Sequence, residues 1–219
     1  MKSEKISELT TKRLSIYLRC LQILDRNGIQ TVSSRAMAEQ FHLNSAQIRK
    51  DLAYFGEFGV RGVGYSVSHL AQHLTKILGL DSRHRLCICG AGNLGRALAE
   101  YGGFNSEGFQ MVALFDTDAK KIGTTTRTGV PIYDIKKLKP IVVKENVDIA
   151  VVTVPSEVAQ KVVDLLCAAG IKAILNFAPV HLRVNSGIKL QKVDLKVELE
   201  NLSYYLSNPS VSAPANLPE

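Results

Sequence analysis

The sequence predicts an α/β protein in two parts: a helical amino-terminal part that ends in a glycine-rich hairpin, and a carboxyl-terminal part built on a parallel sheet. Three observations carry this. Short apolar stripes at helical spacing occupy residues 14–55, separated by turn residues. Gly56, Gly59, Gly62 and Gly64 then punctuate a hairpin. From residue 85, β-favouring apolar runs alternate with helical segments, and the first run leads directly into Gly-x-Gly-x-x-Gly.

The elements follow in order. Leu14, Leu18 and Leu21, widened by Ile16 and Ile23, predict a helix over Leu14–Leu24, which Asn27-Gly28 ends. Ser33 and Ser34 can cap a second helix, Arg35–Phe41. Asn44 can cap a third, running to about Phe55, with Gln47 in capping-box position. The hairpin spans Glu57–Tyr65, and Val67, Leu70, Leu74 and Ile77 stripe a helix over Val67–Leu80. Residues 81–84 read as a linker. Beyond it, Leu86–Cys89, Met111–Phe115, Val130–Tyr133, Ile149–Val154, Ile171–Phe177 and Ile188–Val193 read as strands. A last helix covers Asp194–Leu206, and a proline-bearing tail, 207–219, reads as disordered. The expected divisions are therefore 1–80, 85–193, 194–206 and 207–219.

With 46% hydrophobic residues in 219, the chain can bury a substantial core, which argues against global disorder. The net charge of +7 is uneven: residues 1–84 hold 12 Lys and Arg against 7 Asp and Glu, and residues 85–219 hold 15 against 13. The amino-terminal part is thus the better candidate for a polyanion. No apolar run approaches the roughly 18 residues of a membrane span, and the polar start lacks the apolar core of a signal peptide. The reading is cytoplasmic, with no membrane partner. Cys87 and Cys89 fall on one face of a strand and read as buried thiols; no metal site is expected.

In the third helix Ile48, Leu52 and Phe55 share an inward face, leaving Ala46 and Lys50 outward, flanked by Gln47 and Arg49. A small residue, an amide and two cations compose a helix that can read base edges in a major groove. Ser33 and Ser34 suit a backbone phosphate. Arg61, beside Gly62 at the hairpin tip, can enter a narrow minor groove, with Tyr65 at the hairpin base. A winged helix-turn-helix for double-stranded DNA follows, against the plainer reading of a helical subdomain with a solvated polar face.

Gly90-Ala91-Gly92-Asn93-Leu94-Gly95 joins a strand to a helix that begins at about Arg96, the arrangement of a Rossmann-type dinucleotide fold. Gly90 suits the tight turn, Gly92 close approach of a pyrophosphate and Gly95 helix–strand packing. Asp116, at the end of the next strand, can accept both ribose hydroxyls, which favours NAD(H) over the 2′-phosphorylated form. Val154-Pro155 and Asn176-Phe177-Ala178-Pro179 end later strands and can border the nicotinamide. Nothing beyond the cofactor fold supports hydride-transfer chemistry, so no catalytic residue is assigned. Two alternatives stay open: an NAD-dependent oxidoreductase, and a site for another adenine nucleotide such as coenzyme A. In the last helix Leu195, Leu199, Leu202 and Leu206 form a stripe that could cover its own sheet or a second subunit.

Several strings resemble the Rex family of redox-sensing repressors. In the first part these are Ser33-Ser34, Gln47–Leu52, Tyr54-Phe55-Gly56 and Gly62–Tyr65; in the second, Gly90–Gly95, Phe115-Asp116, Lys121-Ile122-Gly123, Val154-Pro155 and Leu175–Pro179. The resemblance runs from about Lys12 to Leu206. It implies a homodimer with a domain-swapped last helix, and NADH and NAD⁺ as ligands, held by Gly90–Arg96, Asp116, Lys121, Val154 and Pro155. It implies repression of respiratory or fermentative genes from a palindromic operator, released by NADH. It also implies a coupling network of Arg13, Tyr101 and Asp194.

Overall fold

A computed structural model describes residues 6–106 and 108–208. The chain divides into two compact units between Asp81 and Ser82.

The first unit begins with α1 (Glu8–Arg26), capped by Ser7, whose hydroxyl accepts from Thr10 N–H. The helix starts six residues before the apolar stripe because the cap and the acidic Glu8 favour an N-terminus there. β1 (Thr31–Val32) leads to α2 (Ser34–Gln40), then α3 (Ser45–Ala53). Ser33 alone caps α2, accepting from Ala36 N–H at 3.0 Å, and Asn44 caps α3, accepting from Gln47 N–H. The expected capping box is only half made, because the Gln47 side chain donates to Asp51 at 2.8 Å and does not turn back. β2 (Gly59–Val60) and β3 (Gly64–Ser66) form the hairpin, and β1 joins its edge to give the antiparallel order β1-β3-β2. α4 (Val67–Ile77) packs on α1, and its cap, Leu78, comes two residues before the expected end. Leu14, Leu21, Ile48, Leu70 and Leu74 are fully buried between these helices.

The second unit opens with β4 (His84–Cys89), α5 (Asn93–Glu100), the short α6 (Gly103–Ser106) and β5 (Phe109–Asp116). β6 (Ile132–Asp134), α7 (Leu138–Lys144), β7 (Ile149–Val152), α8 (Ser156–Ala168), β8 (Ala173–Asn176) and β9 (Lys189–Lys192) follow, and α9 (Leu195–Ser207) closes it. The sheet has six strands among the described residues, all parallel, in the order β6-β5-β4-β7-β8-β9. β4 and β7 are sequence-distant neighbours at the centre, so the order reverses there and a crevice opens beyond their carboxyl ends. Cys87 and Cys89 face one side with Ala113 and Phe115; Leu86 and Ile88 face the other with Leu114. Both faces are apolar because helices cover both. The expected third strand is shifted: Val130 lies before it, and Asp134 ends it.

α5 begins at Asn93, three residues earlier than expected, so half of the glycine motif is helical. α9 contains no buried residue; Leu195, Leu199 and Leu202 are each more than half exposed and Leu206 is 84% exposed. The stripe therefore does not cover its own sheet. The expected disordered tail lies, from residue 209, outside the described residues, and Ser207 closes the helix.

Candidate nucleotide-binding site and nucleic-acid interface

The turn after β4 is built by its glycines. Gly90 has φ +107, and a Cβ there would lie 2.7 Å from the carbonyl oxygen of Thr153, after β7. The Thr153 hydroxyl donates to Gly90 O at 2.9 Å, clamping the turn between the two central strands. A Cβ on Gly95 would lie 1.9 Å from Gly90 O, so only glycine lets α5 approach the turn this closely. Gly92 caps α5, and a Cβ there would meet nothing within 4 Å. The open face of Gly92 and the N-terminus of α5 border a cavity of about 770 Å³, within the range of a bound cofactor.

That cavity is lined by Gly90, Gly92, Leu94, Asp116 and Lys121 on one side, and by Val154 and Pro155 on the other. Phe177, Ala178 and Pro179 also reach it. The remaining residues expected to contact the cofactor do not line it. Ala91 is buried and gives its N–H to Asp116; Gly95 is buried against the turn; Asn93 is exposed and Arg96 half-buried along α5. Three polar residues were not among the expected contacts, Thr117 beside Asp116 being the first. Thr153 and Lys161 line the cavity, Lys161 from the second turn of α8. Lys121 and Lys161 give the cavity two cations, a composition suited to a diphosphate.

Asp116 is engaged more fully than its position in the sequence suggests. Oδ1 accepts from Thr117 N–H at 2.8 Å and Asp118 N–H at 2.9 Å; Oδ2 accepts from Ala91 N–H at 2.8 Å and Lys121 Nζ at 3.1 Å. Burial alone would raise its pKa, but the Asp118 amide, the Lys121 ammonium and the Ala91 amide outweigh it and hold the carboxyl below its ordinary range. Four donors fill the acceptor sites of a carboxylate. The three backbone donors belong to the turns themselves; Lys121 is the one side-chain donor and the one that can yield.

In the first unit, Ala46, Arg49 and Lys50 are exposed along α3, and Gln47 is half-buried by its bond to Asp51. Ser33, Ser34, Arg49, Arg61, Gly62 and Tyr65 line one groove between α2, α3 and the wing. The Arg49 guanidinium donates to the Ser34 hydroxyl at 2.9 Å, so these two expected phosphate and base contacts are already joined. The wing turns tightly at Arg61-Gly62: Val63 N–H donates to Val60 O, and Gly62 has φ +82. The wing strand lies so close to β1 that a Cβ on Gly64 would sit 2.5 Å from Val32 O.

Beneath α3 lies a polar cluster that was not anticipated. Asp51, 1% exposed, accepts from Arg13 Nε at 2.5 Å, Arg13 Nη2 at 2.7 Å, the Tyr17 hydroxyl at 2.9 Å and Gln47. Burial opposes its ionisation, but these bonds, Arg13's foremost, keep its pKa below the ordinary range. Burial and the same carboxylate push the Tyr17 phenol well above its usual value. Of the three expected coupling residues, Arg13 is held by Asp51, Tyr101 is 60% exposed with its ring against Phe104, and Asp194 pairs with Lys192 at 2.7 Å. No helix is long and apolar enough to cross a membrane.

Residues 5–53 match the family model of a putative DNA-binding protein N-terminus, and residues 81–180 that of a CoA binding domain. The redox-sensing transcriptional repressor Rex of Desulfitobacterium hafniense is 48% identical over 93% of this chain and 97% of its own. That of Syntrophomonas wolfei is 51% identical over 94% and 98%. The crystal structure of RSP with β-NAD⁺ and operator DNA aligns with TM-score 0.89 at 38% identity, covering 94% of each chain. RSP with β-NADH aligns with TM-score 0.85 at 36% identity, covering 95% of this chain and 97% of that one. With a winged helix-turn-helix in one unit, a glycine-rich strand–turn–helix in the other, and such identity over nearly the whole length, the chain belongs to the Rex family of redox-sensing transcriptional repressors.

Proposed function

We propose that the chain is a dimeric, cytoplasmic repressor that binds a palindromic operator when NADH is scarce and leaves it when NADH binds. The observation that carries this reading is the similarity, over 94% of both chains, to a repressor whose structure holds β-NAD⁺ and operator DNA together. Its relatives are named as repressors, not as enzymes. The cavity supplies a helix N-terminus and two lysines for a diphosphate, and Asp116 for a ribose. On binding, a ribose hydroxyl takes the place of Lys121 on Asp116 Oδ2, and the freed ammonium remains beside the cofactor.

The exposed leucines of α9 support a role in dimerisation, since a stripe of this size left in water is costly. Two recognition helices related by a two-fold axis then address two half-sites about one helical turn apart. Arg13, Tyr101 and Asp194 serve as the coupling element. Arg13 Nη1 makes no hydrogen bond among the described residues, so it can meet a new carboxylate or phenol while Nε and Nη2 stay on Asp51. NADH must favour the released state by about 10⁴-fold over the operator-bound one to switch the protein from mostly bound to mostly free.

Cofactor choice is tested by the fluorescence of NADH titrated with the full chain, then competed with NAD⁺ and with coenzyme A. Displacement by NAD⁺ but not by coenzyme A is expected. Tight binding of coenzyme A in its place would move the assignment to another adenine nucleotide.

A further inference from the structure

His69 and His73 stand four residues apart on the outer face of α4, and their Nε2 atoms lie 3.2 Å from each other. Residues at this spacing share one face of a helix. Two nitrogens, each about 2.0–2.1 Å from a zinc-class ion at a near-tetrahedral angle, lie roughly 3.2–3.4 Å apart. The pair already has that separation. The His69 and His73 rings pack edge to face with centroids 4.5 Å apart, and the His73 ring also meets Phe58, with centroids 5.3 Å apart. Phe58 directly precedes the first wing strand, β2, and lines the groove beside Arg61 and Tyr65.

We propose that His69 and His73 form a bidentate site for a divalent transition-metal ion of the zinc class in the DNA-binding unit. No group of three or more His, Cys, Asp or Glu is placed to hold a metal among the described residues. The site therefore gives two imidazole ligands and leaves the other positions to water or to a donor from outside the unit. Two neutral imidazoles suit zinc, nickel or copper and not calcium or magnesium, which take oxygen. The ion replaces a single His–His hydrogen bond with two coordinate bonds. It thereby fixes the His73 ring against Phe58, at the root of the wing.

The experiment is calorimetric titration of the full chain with Zn²⁺, repeated on His69→Ala, His73→Ala and, as a control, His42→Ala. One saturable equivalent per chain is expected. Each of the first two substitutions should weaken it by about a hundredfold, because the second ligand binds at the effective concentration of a chelate, while His42→Ala changes nothing. Cobalt absorption should change in the same two variants and in no other. The thermal midpoints without metal and the NADH affinities of His69→Ala and His73→Ala should match the parent's, which separates ligand loss from misfolding. No saturable Zn²⁺ binding, or binding that survives both substitutions, overturns the site.

Discussion

Arg13 on α1 grips Asp51 on α3 with two parallel hydrogen bonds of 2.5 and 2.7 Å, and Asp51 is all but sealed from water. This bidentate pair ties α1 to α3, and the Tyr17 hydroxyl and Gln47 amide complete the carboxylate's shell. The amide of Gln47 is thereby turned towards the interior. Arg49 and Lys50 are the cations left exposed on α3, and base reading is proposed for them.

Breaking that pair is expected to destabilise the DNA-binding unit. Asp51→Ala leaves Arg13, Tyr17 and Gln47 without their common acceptor, and loss of one member of a buried pair costs about 3–5 kcal/mol. Because the folded pKa of Asp51 is depressed, its contribution is present above the unfolded value of about 3.9 and is lost as pH falls through the folded one. Urea titrations followed by circular dichroism should show the parent losing stability as the medium is acidified below pH 4. Asp51→Asn should be weaker at pH 7 but flatter over that range. An unchanged acid slope would show that Asp51 does not set the loss of stability in acid.

Two glycines of the cradle should fail in different ways. Gly92→Ala meets no neighbour and has ordinary backbone angles, so the variant should unfold like the parent yet bind NADH at least about tenfold more weakly, because a methyl group now stands where a pyrophosphate must approach. Gly95→Ala drives its Cβ into Gly90 O, and should lower the thermal midpoint as well as NADH affinity. Calorimetric melting beside NADH fluorescence distinguishes the two; equal melting losses would contradict the assigned roles.

Asp116→Ala removes the acceptor of three backbone amides and of Lys121. NADH affinity should fall by about 10- to 100-fold, as each hydrogen bond to a charged group contributes about 1.5–3 kcal/mol. Operator binding without cofactor should persist. Lys50→Ala should do the reverse: lose about 1–3 kcal/mol of operator affinity if it reads a base, with NADH affinity untouched. Anisotropy and fluorescence on both variants check the crossover.

Leu199→Asp and Leu202→Asp place charges on a helix with no buried residue. Neither should disturb the fold of its own chain, but both should turn a dimer into a monomer in sedimentation velocity at micromolar concentration. A dimer that survives both substitutions would place the interface elsewhere.

Most of the fold was legible because its signals are local. Leu86-Cys87-Ile88-Cys89 followed by three spaced glycines fixes a strand, a turn and a helix within a dozen residues, and the α4 stripe of Val67, Leu70 and Leu74 reads directly as a buried face. The features without a local sequence signal depend on contacts between distant segments. Thr153 clamps Gly90 across 63 residues, and Asp51 meets Arg13 across 38. A lone acid between Ile48 and Leu52 was the available sign that something buried must pair with it. Lys161 reaches the cavity only because β7 lies beside β4. The half-made capping box shows a local rule losing to a buried carboxylate four residues on, which takes the Gln47 side-chain N–H and turns the amide away from the Asn44 N–H.

In the proposed function, cofactor redox state governs operator occupancy. The most direct test is fluorescence anisotropy of a labelled palindromic operator, saturated with protein and then titrated with NADH and, separately, with NAD⁺. Release by micromolar NADH, with equal NAD⁺ leaving the complex in place, is the predicted result. An operator complex indifferent to both nucleotides, in a protein that binds NADH, would contradict it.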